Sequence, residues 1–188
     1  MDITNDLRIP GTAVGQDLAN YIRGAILADI GRMGGVRVIG GPLNINVGTL
    51  DLPIPAGTTV EWDAELDSNG GGNLIHLTGP GTFDVLGNTV LEALSPTGVA
   101  IRSSSVGRVI IRNGAVVEAW GHDGINLGVI VLDPIAGSGR RLEVFPGAII
   151  NNSNTNFAMP LVAINNRCSV GTIFLHPNAM LTINGIVR

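Results

Sequence analysis

The sequence is short of several residue types, and each shortage excludes a class of protein. The single cysteine, Cys168, excludes an internal disulfide framework and a metal site built from several cysteines, and it is expected to be a small buried hydrophobic residue. Charged residues make up 14% of the chain and aromatic residues 4%, which argues against a disordered chain or a helical bundle. Lysine is absent, and the arginines are scattered singly apart from Arg140 and Arg141. Without a basic stripe, nucleic acid is not an expected partner.

Long hydrophobic runs are missing as well. No apolar run approaches the ~18 residues of a membrane span, and the first residues lack the basic region and apolar run of a secretory signal. We therefore expect no membrane partner and folding in the cytoplasm. The sequence shows no Walker loop, zinc motif or Ser-His-Asp spacing, so it predicts no cofactor, no metal site and no catalytic residue. His76, His122 and His176 are each isolated in sequence and are expected to be ordinary exposed or hydrogen-bonded histidines.

Glycine, by contrast, is abundant, with 27 residues, and it marks an internal repeat. The copies begin GTLDLPIPAGTTVEW at Gly48, GTFDVLGNTVLEA at Gly81, GRVIIRNGAVVEA at Gly107, RRLEVFPGAIINN at Arg140 and GTIFLHPNAMLTI at Gly171. The last four place a corner residue at the same interval, at Asn88, Gly114, Gly147 and Asn178, whereas the first has two extra residues and a corner at Gly57. Copies begin 26 to 33 residues apart.

Each later copy follows another apolar segment, such as NLIHL from Asn73, so one unit consists of three strands. Read alone, Asn113-Gly114 predicts a hairpin. In a series of hairpins, nothing requires the corner residue to occupy the same position in every copy. Stacked coils do require it, because equivalent corners lie on one another and need the same unusual backbone angle. The pattern predicts an all-β protein, a three-stranded parallel β-helix of about five coils over residues 34–188. A sandwich or a jelly roll is the alternative.

The repeat, together with the segment IPAGTTV from Ile54, resembles the right-handed parallel β-helix proteins, meaning pectate-lyase-like folds and phage tailspikes. The resemblance covers about residues 34 to 188. It implies a right-handed solenoid that associates as a trimer along its outer faces. No catalytic signature of that family accompanies the repeat.

A helix is predicted before the coils, over residues 15–33. Its apolar residues recur at helical spacing, and Gly34-Gly35 would end it. Those apolar residues are Leu18, Ile22, Ile26, Ile30 and Met33. Such a helix would cap the first coil, although it could instead grip a partner. Residues 1–14 are expected to form a flexible or docking arm.

Alternation along the strands assigns an inner and an outer face. The residues predicted to point inward are Leu50, Leu52, Phe83, Val85, Val109, Ile111, Leu142, Val144, Ile173 and Leu175 before the corners, and Thr58, Val60, Thr89, Leu91, Ala115, Val117, Ala148, Ile150, Ala179 and Leu181 after them. An outward column follows Thr59 with four apolar residues, Val90, Val116, Ile149 and Met180. Apolar residues on a solvent-facing ridge indicate a subunit interface. A register slip, or a loop that folds over the ridge, would explain them equally well.

Carboxylates form the next predicted outward column, with Glu61, Glu92 and Glu118 followed by Asn151 and Thr182. This column would be a solvated acidic face or, alternatively, a Ca²⁺ site. Other acidic residues, Asp63, Glu65 and Asp67 in one segment and Asp123 with Glu118 in another, could supply the two carboxylates that a glycosidase needs. Spacing alone does not distinguish these readings.

The resemblance implies a structural virion protein of a bacteriophage, assembled in the host cytoplasm. It would be a capsid decoration or cement protein, or a short spike or fibre component, working as a homo-trimer bound to the major capsid protein or another virion component. The second hypothesis for the function is a carbohydrate-binding or carbohydrate-cleaving module of a tailspike, whose partner would be a surface saccharide. A third alternative is a filament of stacked copies.

Overall fold

The computed structural model describes residues 6–9, 15–46, 48–105, 107–120, 128–135, 141–153, 162–168, 173–177, 182–184 and 186–187. These residues are mostly β, with parallel sheets and one helix, α1 (Gly15–Met33). The strands are β1 (Asp6–Arg8), β2 (Gly35–Asn44), β3 (Leu50–Pro53), β4 (Thr59–Ser68), β5 (Gly72–Thr78), β6 (Thr82–Val85), β7 (Val90–Ala93), β8 (Gly98–Ser103), β9 (Arg108–Ile111), β10 (Val116–Ala119), β11 (Ile130–Leu132), β12 (Leu142–Val144), β13 (Ile149–Asn152), β14 (Val162–Asn166), β15 (Ile173–Leu175), β16 (Thr182–Asn184) and β17 (Ile186–Val187).

The described strands form two sheets in which neighbouring strands run parallel. The large sheet has the order β15-β12-β9-β6-β4-β7-β10-β13-β16, with β2 on β4 and β1 on β2. The small sheet has the order β17-β14-β11-β8-β5-β3. Paired residues are far apart in sequence, from 23 positions for Thr59 and Thr82 to 34 for Ile130 and Ile164. The pairing therefore joins segments about one repeat length apart rather than strands connected by a hairpin.

The corner residues behave as the repeat predicts. Asn88, Gly114 and Gly147 have φ angles of +84°, +83° and +77°, in the left-handed region that favours glycine and asparagine. The hairpin reading of Asn113-Gly114 is excluded, because β9 pairs with β6 and β12 whereas β10 pairs with β7 and β13. Asn178 lies outside the described residues.

The core lies between the inner faces of the strands, and most of the predicted inward residues are buried there. Thr58 and Ile173 are only half-buried, and Leu175 is exposed, which corrects the prediction at these positions. Ala179 and Leu181 lie outside the residues whose burial is described. Trp62 is fully buried, and its indole nitrogen donates to the carbonyl of Ala64 at 2.9 Å.

The first copy of the repeat is aligned wrongly by the sequence pattern. Strand β3 belongs to the small sheet, where Leu50 pairs with Ile75, so it corresponds to the segment that precedes a later copy. The strand that pairs with β6 is β4, in which Thr59 lies opposite Thr82. Because β4 is one continuous strand where later repeats turn a corner, it pairs with β6 along its first half and with β7 along its second half.

Helix α1 has the predicted bounds and packs on β2 and β3. Four of its predicted apolar residues are buried, but Met33, the last residue of the helix, is 53% exposed, which corrects the prediction there. The Gln16 side chain accepts a hydrogen bond from the Thr49 amide and donates one to the Thr49 carbonyl, which covers the chain just before β3. Within the described ranges, no helix is long and apolar enough to cross a membrane.

The described part of the N-terminal arm belongs to the large sheet. In β1, Leu7 pairs with Val38 of β2, and Ile9 just beyond it is buried. Residues 6–9, which lie within the predicted flexible or docking arm, therefore contribute an edge strand and core contacts, and the docking role of residues 1–14 stays a prediction. The alternation is too short here for a strand to be predicted.

Candidate functional site

The predicted apolar ridge lies in register on the outer face of three strands. Val116 of β10 pairs with Val90 of β7 on one side and with Ile149 of β13 on the other. The two valines are half-buried and Ile149 is 36% exposed. Met180 lies outside the described residues, and the residue paired with Ile149 is Thr182, so the predicted register is wrong at this end. We name Val90, Val116 and Ile149 the apolar ridge.

An acidic column runs beside the ridge, but its members differ from those predicted. Glu92 pairs with Glu118 and, on its other side, with Asp67 rather than with Glu61. The prediction of Glu61 is wrong because it relied on the misaligned first copy. Glu118 in turn pairs with Asn151, whose amide donates to Oε2 of Glu118 at 3.0 Å. Thr182, predicted in this column, lies instead beside Ile149.

The carboxylates of this column are partly shielded from water. Burial raises the pKa of Asp67, and burial followed by the charges of Glu118 and Asp67 raises the pKa of Glu92. Asn44 donates a hydrogen bond to Asp67. Among the described residues, no group of three or more histidine, cysteine and acidic side chains is arranged to hold a metal ion.

A second surface, the charged cleft, crosses the outer face of β4, β6 and β9. It is an open cleft of about 250 Å³ whose walls include Glu61, Asp84, Arg108 and Arg112. Arg112 donates to both oxygens of the buried Asp84, at 2.8 and 2.6 Å. Burial, and then the charge of Asp84, raise the pKa of Glu61, although Arg37 and Arg112 oppose the rise. The cleft thus combines a carboxylate held by arginine with a carboxyl that takes up a proton more readily.

Aromatic rings extend this surface toward later repeats. The Arg112 guanidinium lies 4.5 Å above the centre of the Phe145 ring, and His176 stacks on Phe145 with ring centres 3.7 Å apart. The His176 ring also lies edge-on to Phe174, and its Nε2 is 3.5 Å from the Glu143 carboxylate. Rings and guanidinium groups in this order provide flat surfaces and charges beside the cleft.

A third surface, on the outer face of the small sheet, joins side chains that are distant in sequence. Asp51 Oδ1 lies 2.9 Å from His76 Nδ1, and His76 Nε2 lies 3.0 Å from Ser104 Oγ. Ser104 Oγ also lies 2.6 Å from Asp133 Oδ2. We name Asp51, His76, Ser104 and Asp133, with the arginines that bind Asp133, the polar ladder.

Two arginines hold the far end of the polar ladder. Arg102 donates to both oxygens of Asp133, at 2.8 and 2.9 Å, and Arg167 donates at 3.1 Å. Burial by itself raises the pKa of the Asp133 carboxyl, but the hydrogen bonds of Arg102 and Ser104 and the charges of both arginines outweigh it. The pKa of Asp133 therefore lies below its usual value.

Sequence reasoning missed the polar ladder because it searched for short-range motifs. Asp51, His76 and Ser104 are separated by 25 and 28 positions, close to the length of one repeat. Each of them lies in, or directly after, an apolar strand of the small sheet. Polar residues that recur at the repeat length were the signal that could have found them.

The remaining sequence candidates have smaller parts in these surfaces: the Cys168 sulfur lies 3.3 Å from the carbonyl of Asp133, and the charge of Glu65 helps to raise the pKa of Glu92. Cys168, predicted as a small buried hydrophobic residue, is half-buried and packs against the core, and its sulfur lies 2.7 Å from Nη1 of the buried Arg141. Glu65 is exposed on β4, and Asp63 pairs with Arg37. His122 and Asp123 lie outside the described residues.

Comparisons with known proteins were made at three levels, against protein-family models, curated proteins and solved structures. None of the three comparisons found a match for this chain.

Proposed function

We propose that this protein is a structural component of a bacteriophage virion, a short right-handed parallel β-helix that associates as a homo-trimer. Its place would be on the capsid as a decoration or cement protein, or in a short spike or fibre. The larger partner would be the major capsid protein or another virion component. The term virion rests on the resemblance to tailspike proteins given above.

Strand pairing supports the solenoid part of the proposal. Each later repeat supplies one strand to the small sheet and two to the large sheet, as β8, β9 and β10 do. Equivalent strands pair in parallel from repeat to repeat, and equivalent corners share a positive φ angle. These are properties of coils that stack on one another.

The apolar ridge is the observation that carries the assembly part. Val90, Val116 and Ile149 lie side by side on an outer face, where water contacts them in the single chain. A second copy would remove this apolar surface from water, which is the main favourable contribution to most protein association. A rigid sheet loses little conformational freedom when it docks, because its strands are already ordered.

Sedimentation velocity of the full chain tests the assembly. We expect a trimer for the native protein and smaller species for Val116→Asp, because a charge without a partner is costly in a dry interface. The matched control is Thr78→Asp, which places the same charge at a half-buried outward position of the small sheet. A monomeric native protein, or a Val116→Asp variant that assembles like the control, would contradict the proposal, and an open-ended polymer would favour the filament alternative.

A second candidate function, binding or cleavage of a surface saccharide, is favoured by the charged cleft. Glu61 and Asp84 are neighbours across the strands, and the environment raises the pKa of Glu61 while Arg112 binds Asp84. Glycoside hydrolysis uses two carboxyl groups, of which the general acid has a raised pKa. Titration calorimetry with bacterial surface polysaccharides tests this candidate, with Glu61→Gln as the variant and the exposed Glu65→Gln as the control on the same strand. Binding that is unaffected by Glu61→Gln would exclude this cleft.

A further inference from the structure

The polar ladder contains the three groups of a serine hydrolase in their working order. A carboxylate contacts Nδ1 of an imidazole, and Nε2 of the same imidazole contacts a serine hydroxyl, at 2.9 and 3.0 Å. We propose that Ser104 is a nucleophile for carboxylic esters, that His76 is its general base, and that Asp51 is the positioning residue that orients the imidazole. Both distances are within the hydrogen-bond reach that proton transfer requires.

The site is open to a substrate. Ser104 and Asp51 are exposed, and His76 is half-buried between them on the outer face of the small sheet. An ester group that is carried on a larger molecule can therefore reach Ser104 Oγ. An ester with a small acyl group, such as an acetate ester, needs no more than this open approach to the Ser104 hydroxyl.

Asp133 and the two arginines that bind it place charged groups beside the Ser104 hydroxyl. The Ser104 hydroxyl donates its single proton to Oδ2 of Asp133 at 2.6 Å, and its oxygen lies 3.0 Å from Nε2 of His76, so the hydroxyl must rotate from Asp133 toward His76 before His76 accepts the proton. Arg102 and Arg167 both bind Asp133, so their two positive charges balance the carboxylates of Asp133 and Asp51 in the ladder. The guanidinium groups, held next to Ser104 by Asp133, are the donors that this site offers to the oxyanion that forms when a serine attacks an ester.

The reaction proceeds in two balanced steps. Ser104 Oγ attacks the carbonyl carbon of the ester and gives its proton to His76 Nε2; the bond to the alcohol oxygen then breaks, and the alcohol leaves with that proton. Water attacks the resulting acyl-serine and gives a proton to His76. The carboxylic acid leaves, and Ser104 recovers its proton.

This inference does not depend on the proposed assembly, because the polar ladder lies in the small sheet and the apolar ridge in the large one. Failure of the ester chemistry would leave the assembly proposal intact, and the reverse also holds. Sedimentation distinguishes the two, because it reports the oligomer and not the reaction.

The first experiment uses the native full chain. It is treated with a fluorophosphonate reagent, which reacts with activated serines, and the modified residue is identified by mass spectrometry of its peptides. We expect the label on Ser104. Labelling of other serines alone, or no labelling, would overturn the proposal without any variant.

The second experiment measures hydrolysis of p-nitrophenyl acetate by the native protein and its variants. We expect Ser104→Ala and His76→Gln to lower kcat/KM by about 100-fold or more, as loss of a nucleophile or a general base does. The matched control is Ser105→Ala, since the Ser105 hydroxyl donates to the Gly79 carbonyl and not to the ladder. Circular dichroism confirms folding of each variant. Equal rates in the control and in Ser104→Ala would also overturn the proposal.

Discussion

The two sheets bury similar inner faces, but the apolar ridge and acidic column on the large sheet differ from the polar ladder on the small sheet in which side chains lie next to one another. In the apolar ridge and the acidic column of the large sheet, paired residues have side chains of the same kind, as Val90 with Val116 and Glu92 with Glu118. On the small sheet, the polar ladder places Asp51 next to His76 and Asp133 next to Arg102. Complementary side chains in a column stabilise the fold of the single chain. Side chains of the same kind gain stability mainly when a second molecule covers them.

The largest expected effect lies in the polar ladder. Asp133→Ala removes the acceptor that Arg102, Arg167 and Ser104 share, and it leaves two partly buried cations without their counter-ion. We expect the free energy of unfolding to fall by about 3 kcal/mol near neutral pH, measured by urea denaturation.

The same variant has a defined pH dependence. The pKa of Asp133 is lowered on folding, so its stabilisation is present above the pKa of the unfolded chain and is lost as the pH falls through the folded pKa. The difference between native protein and Asp133→Ala should therefore shrink in acid. A difference that stays constant with pH would show that the charge of Asp133 does not contribute.

An intermediate effect is expected at the corners, which hold the columns of the large sheet in register. Gly147→Ala would force an alanine into a φ angle of +77°, and its Cβ would meet the Asn113 side chain of the preceding repeat. We expect a loss of about 2 kcal/mol, measured by thermal and urea denaturation.

Gly57→Ala is the matched control for that corner. Its φ angle is similar, at +73°, but an added Cβ meets no atom within 4 Å. Its cost should be limited to the backbone strain of about 1 kcal/mol. Equal costs at both glycines would show that contact between successive corners does not constrain the register.

The smallest expected effect lies in the acidic column. Glu92→Gln removes a charge that faces Glu118 and Asp67, so we expect a gain of about 0.5 kcal/mol near neutral pH. The pKa of Glu92 is raised on folding, so ionised Glu92 lowers the free energy of unfolding. This loss develops as the pH rises through the folded pKa, and it is absent in acid, where Glu92 is protonated in both states. Urea denaturation should show the gain vanishing in acid; a loss of stability at neutral pH would contradict the repulsion.

The candidate surfaces could be predicted from the sequence only where the repeat was aligned correctly. The pairs within the apolar ridge follow from equal intervals around Gly114 and Gly147, and the structure confirms them. The acidic column was predicted with Glu61 because the first copy lacks a corner at the equivalent place. The polar ladder was not predicted, because its members lie in separate repeats and carry no motif of their own.

The sequence by itself determined the features that depend on local periodicity: helix α1, the corner angles and most of the buried columns. A side chain faces inward or outward according to its own strand, so alternation over a few residues is sufficient. Only the tertiary structure decided which distant residues meet, such as Glu61 with Asp84, and His76 with Ser104. Repeats of unequal length connect these strands, and the register across 23 to 34 positions is set by packing of the whole core.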